Sequence, residues 1–238
     1  MARQRLSVDH RRELLLRTGL QVLGAHEGNP PVGEIARAAG VSKGLLYHYF
    51  PDKEDFLVEV VREAAKEITA ATATTPTSSV PEQIAQAVDG FLDYAEAHSA
   101  GLQVIFGHKY RSPQVLQVVR EQRAGRVDRV VEQVAGARPG CADVIRGSAA
   151  LRTALDGALS FMETATLRWL EDGLLSRPAM RTLLMGALGA ALTLAAQIDP
   201  DLHLDLADAG APARTPAPGQ TPAPPVQTPA DDEQSTSR

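Results

Sequence analysis

Cysteine, tryptophan and aromatic side chains are scarce: the 238-residue chain has one cysteine, Cys141, one tryptophan, Trp169, and an aromatic content of 4%. A single cysteine excludes an intramolecular disulfide and leaves no thiol pair for metal or redox chemistry, which fits a reducing cytoplasm. Cys141 itself reads as an ordinary residue at a helix start. The first dozen residues carry Arg3, Arg5, Arg11 and Arg12 but no apolar core of the kind that directs export. Runs of β-branched residues bounded by turn residues are few, which disfavours sheets, while hydrophobic residues reach 44%. The expectation is an all-α chain with one large core or two modest ones.

Catalytic signatures are missing as well. There is no phosphate-binding P-loop, no GxSxG elbow and no HExxH zinc motif. His98 and His108 lie ten residues apart with no further ligand pattern. Asp156 and Glu163 share a helix face at i and i+7, and read as surface or interface charges. Neither an enzyme nor a bound metal or cofactor is expected.

The net charge of −5 argues against a nucleic-acid partner until it is divided along the chain. Residues 1–51 hold seven Lys and Arg against four Asp and Glu, a balance of +3, and the remainder is therefore at −8. An acidic body repels DNA and leaves the basic end as the docking surface.

That basic end contains VGEIARAAGVSKGLLYHYFPDK, residues 32–53, which reads as a helix, a tight turn of three residues and a second short helix. Ile35, Ala36 and Ala39 give the first helix its apolar face, Gly40 ends it, and the Ser42 hydroxyl is placed to cap the second. Val41 and Leu46 fill the angle between the two helices. Lys43, Gly44 and Leu45 project from the start of the second helix. Upstream, a helix over Val8–His26 carries Leu16, Leu20 and Leu23 as its inward stripe. Pro51 stops the second short helix, and Asp52 with Asp55 caps a long fourth helix to about Thr72.

The run Ala39-Gly40-Val41-Ser42-Lys43-Gly44-Leu45-Leu46-Tyr47-His48-Tyr49-Phe50-Pro51-Asp52-Lys53 resembles the signature of the TetR family of bacterial transcriptional regulators, with the close match running over residues 9–68. The resemblance implies an N-terminal three-helix helix-turn-helix DNA-binding domain, residues 1–51, and a C-terminal helical effector-binding and dimerisation domain, residues 52–200. Carried over residue by residue, it puts Lys43, Gly44 and Leu45 against base edges, and Ser42, Tyr47, Tyr49 and Lys53 on phosphates. His48 reads as a surface or backbone contact. The chain departs from the family where a Thr or Ser usually precedes the second helix: Pro31 stands there and offers no hydroxyl.

Beyond residue 72 the pattern remains helical. Helices are expected from Pro81 to about His98, near 100–109, from Ser112-Pro113 to about Val134, over 142–172 and over 177–198. Thr182 to Ile198 carries no formal charge over seventeen positions, yet it is short of the roughly 20 apolar residues of a membrane span. It also holds Thr182, Thr193, Gln197 and two glycines. A homodimer through the last two helices is the reading taken, with no membrane association. Leu102, Phe106, Leu116, Phe161, Met162 and Trp169 are the candidate lining of a pocket for a small hydrophobic or amphipathic effector. Eight of the sixteen prolines fall in residues 200–238, so residues 201–238 read as a disordered tail. The function these expectations describe is a sequence-specific regulator, read as a repressor released from a double-stranded DNA operator by its effector. The alternative is an effector-independent DNA-binding dimer or nucleoid-type module.

Overall fold

The computed structural model describes residues 8–26, 29–75, 79–107 and 112–204. The proline-rich segment from 205 onward and His108 lie outside the described residues. Among those described, every regular element is helical: α1 (Val8–Ala25), α2 (Val32–Ala38), α3 (Lys43–Tyr49), α4 (Lys53–Ala71), α5 (Val80–Ala97), α6 (Ser99–Phe106), α7 (Pro113–Ala137), α8 (Ala142–Gly147), α9 (Ala149–Asp172) and α10 (Arg177–Ile198). Single 3-10 turns lie at Pro139–Cys141 and Pro200–Leu202.

The helix ends follow from local chemistry. Ser42, Asp52, Ser79, Ser112, Ser148 and Ser176 each accept a backbone N–H from the first turn of the helix they precede. At Ser79 the arrangement is reciprocal, with Glu82 reaching back to the Ser79 N–H at 2.8 Å. The α2–α3 link has four residues and not three, because α2 closes at Ala38 with Ala39 as its C-cap. Gly40 then takes φ +66°, a left-handed conformation that favours glycine.

The expected single helix over 142–172 is two helices, and Ser148 is the reason. Its backbone is extended, and it is only 4% exposed. Its hydroxyl donates to Asp199 Oδ2 at 2.7 Å and accepts from Leu151 N at 3.3 Å. A buried hydroxyl with both partners fixed sets a corner where the local sequence alone would continue the helix.

One buried cluster joins α1 to α10 without a gap: Leu15, Leu16, Leu23 and Ile35 meet Phe50, Phe56, Val60 and Val61, and these continue through Leu92 and Leu102 to Leu184. A second cluster, built on Val131, Ile145, Leu151 and Leu192, closes the far end. Two glycines allow helices to touch backbone to backbone. A Cβ on Gly24 would stand 2.3 Å from Ala100 Cβ, where α1 meets α6, and one on Gly90 would stand 2.0 Å from the Ala71 carbonyl oxygen, where α5 crosses the end of α4. Gly90→Ala is therefore expected to push α5 off α4 and lower stability by about 1–3 kcal/mol, the usual cost of overpacking. Urea unfolding checks it, and a midpoint equal to that of the wild type would contradict the crossing.

Helix α10 is long and apolar enough, by length and composition, to cross a membrane, and 33% of its most apolar window is buried within the chain. It packs along α9 and against α5, and Arg181 ties it to Asp89 of α5 at 2.7 and 3.0 Å. That paired arginine holds the Asp89 carboxyl below the ordinary carboxylate range, against the opposing effect of burial.

Candidate nucleic-acid interface and ligand cavity

Helix α3 is anchored from one side only. Leu46 is fully buried and Phe50 nearly so, with the Phe50 ring set edge-on to Phe56 at a centroid distance of 5.0 Å. Arg12 lies over the Phe50 ring at 5.3 Å from its centroid and pairs with Glu59 of α4. Burial pushes the Glu59 carboxyl up, but Arg12 and Arg62 outweigh it and hold it below its ordinary value. These contacts fix α3 to α1 and α4 and leave its other face outward.

That outward face carries Ser42, Lys43, Gly44, Tyr47 and His48, all exposed, with Leu45 and Tyr49 half-buried at its edges. The Lys43 ammonium stands 5.7 Å from the Tyr47 ring centroid, and His48 meets Tyr49 edge-on at 5.6 Å. Seven of the eight residues singled out for nucleic-acid contact thus share one short helix and its cap. The eighth, Lys53, stands apart at the start of α4. Its ammonium donates to the backbone carbonyls of Pro30 and Asn29, and burial lowers its pKa. Lys53 thereby holds the segment ahead of α2, where Pro31 offers no side-chain cap. The helix carries exposed donors from Lys43, Tyr47 and His48, no carboxylate, and a glycine that lets a ligand approach the backbone. Such a surface suits phosphate oxygens and groove edges.

The second site is a cavity among the end of α4, α5, α7, α9 and α10, about 80 Å³ in volume. Its apolar walls include Ile84, Val88, Phe91, Leu155, Leu159, Leu188 and Leu192, and its polar groups are Thr72, Gln83, Arg126, Arg129, Gln133 and Glu163. Of the six residues proposed from sequence, Met162 alone lines it. Leu102 is fully buried core. Phe106 and Leu116 are half-buried, and Phe106 borders a smaller recess beside Arg126. Phe161 is 43% exposed on the outer face of α9. Trp169 is half-buried, with its indole N–H donating to the Leu175 carbonyl at 2.8 Å.

Glu163, expected as a surface or interface charge, is buried within the chain. Its side chain is 5% exposed and is held by Arg123 and Arg126, both from α7. Burial opposes the charge on Arg123, while Glu163, with Asp156 behind it, more than offsets that and raises the Arg123 pKa. A readable signal existed: a glutamate inside the stripe Leu155, Leu159, Met162, Thr166 is a charge on an apolar face, which needs a partner. Among the described residues no group of three or more His, Cys, Asp and Glu side chains converges to hold a metal.

Comparison with known proteins bears on the helix-turn-helix region. Residues 30–60 match the profile described as bacterial regulatory proteins, tetR family. The HTH-type transcriptional regulator BetI of Agrobacterium fabrum is 37% identical over 59 residues, covering 24% of this chain and 29% of that protein. The HTH-type transcriptional activator FasR of Mycolicibacterium smegmatis is 30% identical over 136 residues, covering 55% of this chain and 61% of that one. The chain thus spans less than two thirds of the length of either relative. A tetR-family transcriptional regulator from Streptomyces coelicolor has a similar solved structure, with TM-score 0.69 and 21% identity over 83% of this chain and 87% of that one.

Proposed function

We propose that this chain, a DNA-binding transcriptional regulator of the TetR family, works as a dimeric cytoplasmic repressor whose operator is released when a small amphipathic molecule enters the α4–α10 cavity. The observation that carries this reading is the single outward face of α3, with Lys43, Gly44, Tyr47 and His48 exposed on a helix whose other side is locked by Leu46 and Phe50. Lys43 donates to guanine O6 or N7, Leu45 offers apolar contact to a thymine methyl, and Gly44 permits close approach to the groove edge. Ser42, Tyr47 and Tyr49 serve the phosphates, and Lys53 does so through the donors left after its carbonyl contacts. Because one buried cluster runs from α1 into α10, the division near residue 51 is proposed as one of function and not of packing.

The dimer is proposed to form through α9 and α10. Leu183, Gly186, Ala190, Leu194 and Ile198 lie exposed along one side of α10, with Phe161 exposed on α9. Small and apolar residues at these spacings allow close helix packing and would otherwise meet water. The pair of α3 helices would then enter successive major grooves about 34–36 Å apart. Leu183→Asp with Leu194→Asp is expected to yield a monomer by sedimentation and to weaken operator binding at least about a hundredfold, since one half-site loses the other's contribution. A folded monomeric variant with full operator affinity would contradict the dimer.

FasR of M. smegmatis is named an activator, which favours a second reading in which the same DNA-bound dimer recruits and does not block. Transcription in vitro from a template carrying the selected operator separates the two, since repression lowers the transcript on adding protein and activation raises it.

A further inference from the structure

We infer that the cavity selects an amphipathic carboxylate, whose head group is received by Arg129, and that this capture draws Arg129 off the last turn of α4. The inference rests on the proposal that an effector enters this cavity, and adds the charge of the effector and the contact through which it is sensed.

The charges around the cavity do not balance. Arg123 and Arg126 face Glu163, with Asp156 adding its field to Arg123. Arg129, which also lines the cavity, has no carboxylate within ion-pair distance among the described residues, and its hydrogen bond runs from Nη1 to the Thr69 carbonyl at 3.3 Å. A guanidinium facing apolar walls can exchange its one long carbonyl contact, made by Nη1, for a planar, two-oxygen acceptor on its Nη1 and Nη2 edge, the geometry that arginine recognises best. A cationic head would meet Arg126 and Arg129, and a neutral head would leave the second charge uncompensated. Across the cavity the walls are hydrocarbon, with Phe91 of α5 and Leu188 of α10 among them, so the occupant is an anion at one end and an apolar body at the other.

The contact that the ligand would replace is structural. Helix α7 runs beside α4 and is tied to it near both ends of α4: Ser112 donates to Glu54 near the start of α4, and Arg129 donates to Thr69 near its finish. Residues 54 to 69 and 112 to 129 span similar lengths at about 1.5 Å per residue, so the two ties lie at opposite ends of one parallel pair. The start of α4 follows α3 directly through the Asp52 cap. Taking Arg129 from the Thr69 carbonyl removes a cation from the negative end of the α4 dipole and loosens the end of α4 far from α3. The state with Arg129 off Thr69 then offers the ligand a donor that the other state does not, which is the differential affinity a ligand-driven shift requires.

Isothermal titration of the full chain with decanoate, decanol and decyltrimethylammonium tests the charge selection, the three probes having matched tails. Decanoate is expected to bind roughly ten- to a hundredfold more tightly than decanol, the usual range for a charge-assisted hydrogen bond, and the ammonium more weakly still. Arg129→Gln is expected to bring decanoate to the level of decanol, and Arg129→Lys to restore part of the difference. Equal binding of decanoate and decanol, no binding of any probe, or undiminished decanoate binding by a folded Arg129→Gln protein would each overturn the inference. These titrations contain no DNA, so their outcome stands apart from that of the repressor reading. Separately, fluorescence anisotropy on a selected duplex is expected to show release by decanoate from the wild type but not from Arg129→Gln. Decanoate that binds through Arg129 without releasing DNA would overturn the sensing step.

Discussion

Glu163→Leu is expected to lower the stability of the protein by about 3 kcal/mol. Removing one member of a buried ion pair strands its partner in a low-dielectric site, at a cost of about 3–5 kcal/mol. The Arg123 and Arg126 side chains keep 23% and 12% of their exposure, which favours the lower end of that range. Compensation is a sharper test than loss. Changing Glu163→Leu, Arg123→Met and Arg126→Met together is expected to regain most of the deficit, because a buried pair contributes little net stability over well-packed hydrocarbon. Urea unfolding of the single and triple variants measures both. A single variant within about 0.5 kcal/mol of the wild type, the range of ordinary surface changes, would mean that the arginines find water or other partners without Glu163.

Lys43→Ala is expected to weaken operator binding by about 1–3 kcal/mol per half-site and to relax the base preference where Lys43 meets the groove edge. Tyr47→Phe removes only a hydroxyl, so it is expected to weaken all duplexes alike while leaving the salt dependence unchanged, since no charge is lost. The two residues lie one turn apart and touch, with the Lys43 ammonium 5.7 Å from the Tyr47 ring, so their effects are expected to be non-additive in the double variant. Anisotropy on the preferred duplex and on single-base mismatches at two salt concentrations distinguishes these effects. Unaltered binding by the double variant would remove α3 from the interface.

The helix-turn-helix was legible because its boundaries are set by residues with strong local preferences: Gly40 for a left-handed turn, Ser42 and Asp52 for caps, Pro51 for a stop. Local chemistry survives without knowledge of the rest of the chain, and Ser42 and Asp52 make the expected cap bonds, to Leu45 N at 3.1 Å and Asp55 N at 2.8 Å. The corner at Ser148 was not legible, because the residue that holds it, Asp199, lies 51 positions away and the intervening pattern is uniformly helical. The cavity was missed for a related reason. An apolar residue reads the same in a sequence whether it fills the core, as Leu102 does, or faces solvent, as Phe161 does. Charged residues at helical spacing carry more information. Arg126 and Arg129 on α7, with Glu163 inside the apolar stripe of α9, mark the polar part of the cavity more reliably than any choice of hydrophobic side chains.

Selection of random duplexes by the purified full chain, followed by anisotropy on the enriched sequence at two salt concentrations, tests whether α3 reads base sequence. A dimer presenting two α3 faces predicts enrichment of a near-palindrome with half-sites one helical turn apart, and affinity that falls steeply with added salt as phosphate contacts are lost. Protein shown to be folded and dimeric that enriches no sequence would contradict the assignment of α3 as a sequence-reading helix.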